Sequence, residues 1–178
     1  DADRFSHGDM VQGRRSPGSA LKPFLYGLAL DEGLIHSESL LSDVPQSFAG
    51  YQPGNFQASF SGPVGVTEAL QKSLNVPAVE VLDRLGPQRF VSLLRRGGLK
   101  LDLPRGAEPN LSVILGGVAV NLEGMVGAYT AFARGGVAGK PRYVAQQPGA
   151  PVEEARLMSE GAAFIIRDVL ESGGPVAR

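Results

Sequence analysis

The chain has 178 residues, 43% hydrophobic and 20% charged, with a formal net charge of −1. That composition belongs to a folded globular domain and excludes a disordered tail or a fibrous repeat. Lys and Arg are scattered apart from Arg14-Arg15 and Arg95-Arg96, so no basic stripe suits a nucleic acid, and the lack of cysteine excludes disulfides, thiolate metal sites and cysteine nucleophiles.

No apolar run reaches the roughly 18 residues that a membrane-crossing helix needs. The start, Asp1-Ala2-Asp3-Arg4, is no signal peptide, so the chain as it stands reads as soluble. His7 and His36 each stand alone in polar stretches and read as surface residues. Nucleophilic chemistry would therefore use a base other than histidine.

In chain order, a polar, turn-rich segment ends at Arg15-Ser16-Pro17-Gly18 and leads into the apolar run from Ala20 to Leu30. That run predicts a buried helix starting at about Gly18 or Ser19, with Pro23 near its first turn and Gly33 as its stop. Residues 37 to 66 carry Pro45, Gly50, Pro53, Gly54, Gly62 and Pro63, and predict ordered loops with at most short strands. Thr67 can cap a helix running to Lys72, Pro77 can open another that Gly86 closes, and Ser73-Leu74-Asn75-Val76 is the joint between them. A helix follows from Pro87 to about Arg96 with Phe90, Leu93 and Leu94 on one face, stopping at Gly97-Gly98. Residues 98 to 112 read as loop. Leu122, Met125, Val126, Tyr129 and Phe132 recur at helical spacing before Gly135-Gly136, and Ser159 caps a last helix that Gly173-Gly174-Pro175 ends. The architecture reads as mostly helical with few strands.

Two short elements carry candidate chemistry. Ser19-Ala20-Leu21-Lys22 places a hydroxyl and an amine about one turn apart on one helix face. A neutral lysine could take the serine proton, and first-turn N–H groups could steady an oxyanion. Read alone, the pattern is better explained by a capping serine and a surface lysine. Ser73-Leu74-Asn75 sits between two helices, where a hydroxyl could relay a proton and an amide could hold a substrate carbonyl. Alone, it is also an ordinary helix end and turn.

Together and in order, these elements match two of the three signatures of penicillin-binding proteins and related β-lactamases: Ser-x-x-Lys, Ser-x-Asn and Lys-Thr-Gly. The whole segment from Arg15 to Gly33 resembles the active-serine region of class A penicillin-binding proteins. Tyr51-Gln52-Pro53-Gly54-Asn55-Phe56, the stretch Glu68 to Val79, Leu115-Gly116-Gly117 and Ala128-Tyr129-Thr130-Ala131-Phe132-Ala133 resemble further landmarks of that transpeptidase domain.

The resemblance implies an α+β transpeptidase fold in which a helical cluster packs beside a five-stranded antiparallel sheet. It implies a D,D-transpeptidase that cross-links peptidoglycan stem peptides at the periplasmic face of the bacterial inner membrane. Ser19 would attack the D-Ala-D-Ala carbonyl, Lys22 activate it, Ser73 shuttle the proton and Asn75 orient the substrate amide. β-Lactam antibiotics would acylate the same serine, and no metal or organic cofactor is implied.

Lys-Thr-Gly occurs nowhere in residues 1–178. The chain is therefore expected to be a partial transpeptidase domain, mostly helical, lacking the Lys-Thr-Gly strand, much of the sheet, and the family's upstream glycosyltransferase domain and membrane anchor. A surface left bare by the missing sheet would call for a partner chain or the missing segment. The alternatives are a non-catalytic cell-wall-binding module of the same fold and a serine β-lactamase. The latter needs a deacylating base, whereas Glu68, Glu80 and Glu123 read as helix-surface carboxylates.

Overall fold

The computed structural model describes residues 14–15, 18–43, 62–139 and 154–172. At its centre is helix α1, Lys22–Asp31, in which every residue from Lys22 to Ala29 is buried. A 3-10 turn, Gly18–Leu21, precedes it. The helical run expected from about Ser19 is thus wound more tightly over its first four residues, and Pro23 falls in the first turn of α1, where a missing N–H costs the α-helix itself no hydrogen bond.

The far end of α1 is tied to two later helices. The Arg89 guanidinium donates to both Glu32 carboxylate oxygens, at 3.1 and 2.8 Å. The Ser159 amide and hydroxyl donate to Asp31, at 2.7 and 2.5 Å. Gly27 lets the neighbouring chain approach: a Cβ there would stand 2.7 Å from the Met158 sulfur.

Strand β2, Leu40–Asp43, pairs antiparallel with β3, Gly62–Gly65, with Leu41 opposite Val64. Helix α2, Val66–Gln71, follows directly. Its first turn is preceded by Gly65 and not by the expected Thr67, because the extended backbone of Gly65 ends the strand and turns into the helix in one residue. Helix α3, Asn75–Leu85, starts two residues before Pro77; the proline is accommodated because first-turn amides have no acceptor within the helix. Gly86 closes α3, and α4, Pro87–Arg96, buries Phe90, Val91 and Leu94.

A second 3-10 turn, Leu111–Leu115, packs beside the one holding Ser19. Short strands β1, Arg14–Arg15, and β4, Val120–Asn121, pair antiparallel ahead of α5, Leu122–Ala133. Strands β5, Val137–Gly139, and β6, Glu154–Arg156, form another two-stranded ribbon that sequence reading left within a connector. In the last helix, α6, Glu160–Ser172, the Ser159 hydroxyl accepts from the Ala162 amide, as expected of its cap. The segment Tyr51 to Phe56, His7 and Gly173-Gly174-Pro175 lie outside the described residues.

The architecture is α+β and mostly helical, and its described strands form three separate two-stranded ribbons. One continuous core runs from α1 through α3, α5 and α6. On α6, Phe164 remains 69% and Leu170 38% exposed.

The turn from α5 into β5 is the tightest close approach. A Cβ on Gly136 would sit 2.1 Å from the Met158 carbonyl oxygen, at a φ of +95°. Gly136→Ala should therefore lower stability by about 1–3 kcal/mol. Gly161→Ala, at an uncrowded helical position, should be neutral or stabilising by up to about 1 kcal/mol. Chemical denaturation of the two variants checks both.

Candidate active site

Lys22 is the first residue of α1, and only 1% of it is exposed. Burying an ammonium without partners is prohibitive, so each N–H needs an acceptor. The amine donates to the Ser73 carbonyl at 2.8 Å, to the Ser73 hydroxyl at 3.0 Å and to Asn75 Oδ1 at 2.8 Å. Burial lowers its pKa from the ordinary value of 10.5 to about 8, since loss of water disfavours the charged form.

The position of Ser73 follows from how α2 ends. The Ser73 amide donates to the Leu70 carbonyl and the Leu74 amide to the Ala69 carbonyl. Those two bonds are a Schellman termination, whose turning residue takes left-handed backbone angles and is ordinarily glycine. Here it is Ser73, with a φ of +53°, the lone non-glycine with positive φ among the described residues. The reversal presents both the carbonyl and the hydroxyl of Ser73 to Lys22. Leu74 then leads into α3, whose first residue, Asn75, is buried beside the same amine.

Ser19 is half-buried in the 3-10 turn. Lys22 follows it by three residues, the interval at which 3-10 side chains eclipse one another. The structure thus joins Lys22, Ser73 and Asn75 directly, while Ser19 is linked to them by this turn and is not a hydrogen-bond partner of the amine. The buried lysine excludes the reading of Lys22 as a surface charge. The three glutamates lie elsewhere: Glu68 pairs with Lys72, and Glu80 with Arg84 and the Ser42 amide. Glu123 lines a separate cleft of about 480 Å³, along with Arg95, Lys100 and Glu154 and with none of the four candidate residues. Among the described residues no group of His, Asp and Glu side chains could hold a metal ion.

Sequence reading missed two features. The Ser73 carbonyl becomes an acceptor only through the left-handed backbone, which a serine does not signal. Tyr129 was read as a core position of its helix, yet its hydroxyl donates to the Ala20 carbonyl at 2.5 Å. Nothing in the local sequence pointed to a contact spanning so much of the chain.

Residues 5–173 match the model of the penicillin binding protein transpeptidase domain. The chain is 59% identical to penicillin-binding protein 1C of Escherichia coli K12 over 170 residues, 96% of the chain and 22% of that relative. It is 34% identical to penicillin-binding protein 1A of Pseudomonas aeruginosa over 172 residues, 85% of the chain and 20% of that relative. It thus spans about a fifth of the length of these curated relatives. The fold is similar to the transpeptidase domain of Burkholderia pseudomallei penicillin-binding protein 3, with a TM-score of 0.76, 24% identity, and coverage of 94% of this chain and 56% of that one. It is also similar to Mycobacterium tuberculosis PonA1, solved in complex with penicillin V, with a TM-score of 0.77, 22% identity, and coverage of 92% and 48%.

Left-handed backbone costs a residue with a Cβ roughly 1–2 kcal/mol that glycine does not bear. Ser73→Gly and Ser73→Ala both delete the hydroxyl, so their difference isolates the backbone. The glycine variant should unfold about 1 kcal/mol later than the alanine variant, measured by urea titration.

Proposed function

The chain belongs to the penicillin-binding protein transpeptidase family, and from that premise we propose that it carries the acyl-accepting half of a D,D-transpeptidase. Ser19 is the nucleophile, the donor is a peptidoglycan stem peptide ending in D-Ala-D-Ala, and β-lactams are accepted by the same hydroxyl. The observation that supports this most is the buried Lys22 amine with its three hydrogen bonds to Ser73 and Asn75.

The chemistry follows from what each acceptor can do. The Ser73 carbonyl and Asn75 Oδ1 only accept, so they hold two N–H bonds whether the amine is charged or neutral. The Ser73 hydroxyl can accept or donate. When the third proton leaves, the bonds to the Ser73 carbonyl and Asn75 Oδ1 keep the amine in place, and its lone pair is free to accept a proton. With a pKa of about 8, about one lysine in ten is neutral at pH 7.

Neutral Lys22 takes the Ser19 proton as the serine oxygen bonds to the peptide carbonyl carbon. Collapse of the tetrahedral adduct breaks the C–N bond, and the proton passes by way of Ser73 to the departing D-alanine amine. The resulting ester is attacked by an amine of a neighbouring stem peptide, which forms the cross-link and returns a proton to Ser19. Asn75 serves twice in this scheme, holding Lys22 through its oxygen and offering its amide N–H to the substrate.

The same reading makes residues 1–178 part of a larger transpeptidase domain, completed by a Lys-Thr-Gly strand that supplies the remaining oxyanion and carboxylate contacts. It puts the site on the periplasmic side of the inner membrane, where peptidoglycan is assembled. No described helix is long and apolar enough to cross a membrane.

Incubated with penicillin, the intact protein should gain one covalent adduct by mass spectrometry, on the peptide containing Ser19, and Ser19→Ala should gain none. An adduct on the alanine variant would move the nucleophile elsewhere. A folded protein that never acquires one leaves the non-catalytic cell-wall module as the better account. The rate of acylation should also rise with pH, by about tenfold per unit below pH 8 and levelling above it, because only the neutral amine acts as base. A flat stopped-flow profile from pH 6 to 8 would remove Lys22 from that role.

A further inference from the structure

Ala20 lies between the nucleophile and its base, and its carbonyl falls at a seam between two helical ladders. In the 3-10 turn Gly18–Leu21, carbonyls accept from the residue three places on. For Ala20 that residue is Pro23, which has no N–H. The α-helical ladder starts one residue later, since α1 begins at Lys22 with Leu21 as its cap, and the cap's carbonyl is the first acceptor of the helix. The Ala20 carbonyl is left out of both, and the Tyr129 hydroxyl takes it at 2.5 Å from a helix 109 residues away in sequence.

Tyr129 is well held for this. Its ring meets Phe24 edge-on at 4.8 Å and Phe132 at 5.6 Å, and Phe24 and Phe132 touch at 5.1 Å. Burial pushes its hydroxyl up to about 12, so it remains a donor throughout the neutral range. Phe24 is itself a residue of α1, so the same ring both packs against the active helix and bonds to the turn preceding it.

We propose that Tyr129 is a positioning residue for Ser19, holding the turn in its 3-10 winding by supplying the hydrogen bond that Pro23 withholds. The inference rests on Ser19 being the nucleophile. The winding matters because three residues make a full turn of a 3-10 helix but about 60° less than one of an α-helix. A turn that relaxes to α-helical winding swings the Ser19 hydroxyl away from the line through Lys22. Proline is useful in the first turn of α1 yet removes the donor its predecessor needs, and a distant side chain replaces it.

The test is a double-mutant cycle on the intact protein, read as the acylation rate with a fluorescent penicillin. Tyr129→Phe keeps the ring packing and removes only the donor. It should slow acylation about five- to tenfold, with the pH midpoint and the melting temperature close to those of the parent. Pro23→Ala restores a backbone N–H at the third position, so Tyr129→Phe/Pro23→Ala should regain most of the lost rate, which a general loss of packing would not allow. A parent-like rate in Tyr129→Phe overturns the positioning role and leaves Ser19 as nucleophile intact. A slow Tyr129→Phe whose loss tracks a fall in melting temperature, and which Pro23→Ala does not rescue, also overturns it. If the parent protein itself gains no label at Ser19, the functional reading fails first and the positioning role with it.

Discussion

An amine withdrawn from water must find an acceptor for every proton it keeps, and in this protein that requirement falls on Lys22. Three oxygens meet it, and all three come from the joint between α2 and α3. The demand is mutual. Without the amine, the Ser73 carbonyl and Asn75 Oδ1 would each lose a hydrogen bond in a part-buried site. The lysine is thus the link that fixes the α2–α3 joint against α1. Burial that lowers its pKa and bonds that hold it in place are two consequences of one arrangement.

That arrangement depends on departures from local preference. Ser73 occupies the left-handed position that ends a helix, where glycine would be easier. Lys22 lies in a stretch otherwise made of apolar residues, and Pro23 deprives the preceding turn of a donor. Departures of this kind gather where function demands a group that stability alone would not select. The surroundings are correspondingly regular: α1 is buried along its length, anchored at its far end through Asp31 and Glu32, and packed on the apolar faces of α3 and α6.

Much of the fold was legible in the residues. The helix from Pro87 to Arg96 was bounded by proline at one end and a glycine pair at the other, and the structure has it so. Ser159 announced the last helix, and Gly135-Gly136 marked the end of α5. Two errors fell at helix starts. Thr67 looked like a cap because it is a good one, yet the preceding strand ends at Gly65 and leaves no room for a separate capping residue. Pro77 looked like a first residue, although any first-turn position suits a proline. The β5–β6 ribbon was not seen, because strands of three residues carry no periodicity to read.

By itself the sequence determined which residue types stand at which spacing: a hydroxyl and an amine three apart at the head of an apolar helix, and a hydroxyl and an amide two apart at a joint. It also determined the family, since the motifs and the segments around them match over nearly the whole chain. Only the tertiary structure decided that the two elements meet, that Lys22 is buried and not a surface charge, and that Tyr129 reaches Ala20. The physical reason is that these depend on contacts 51, 53 and 109 residues apart. Local propensity acts over a turn or two, whereas burial and the pairing of distant groups are set by how the helices pack.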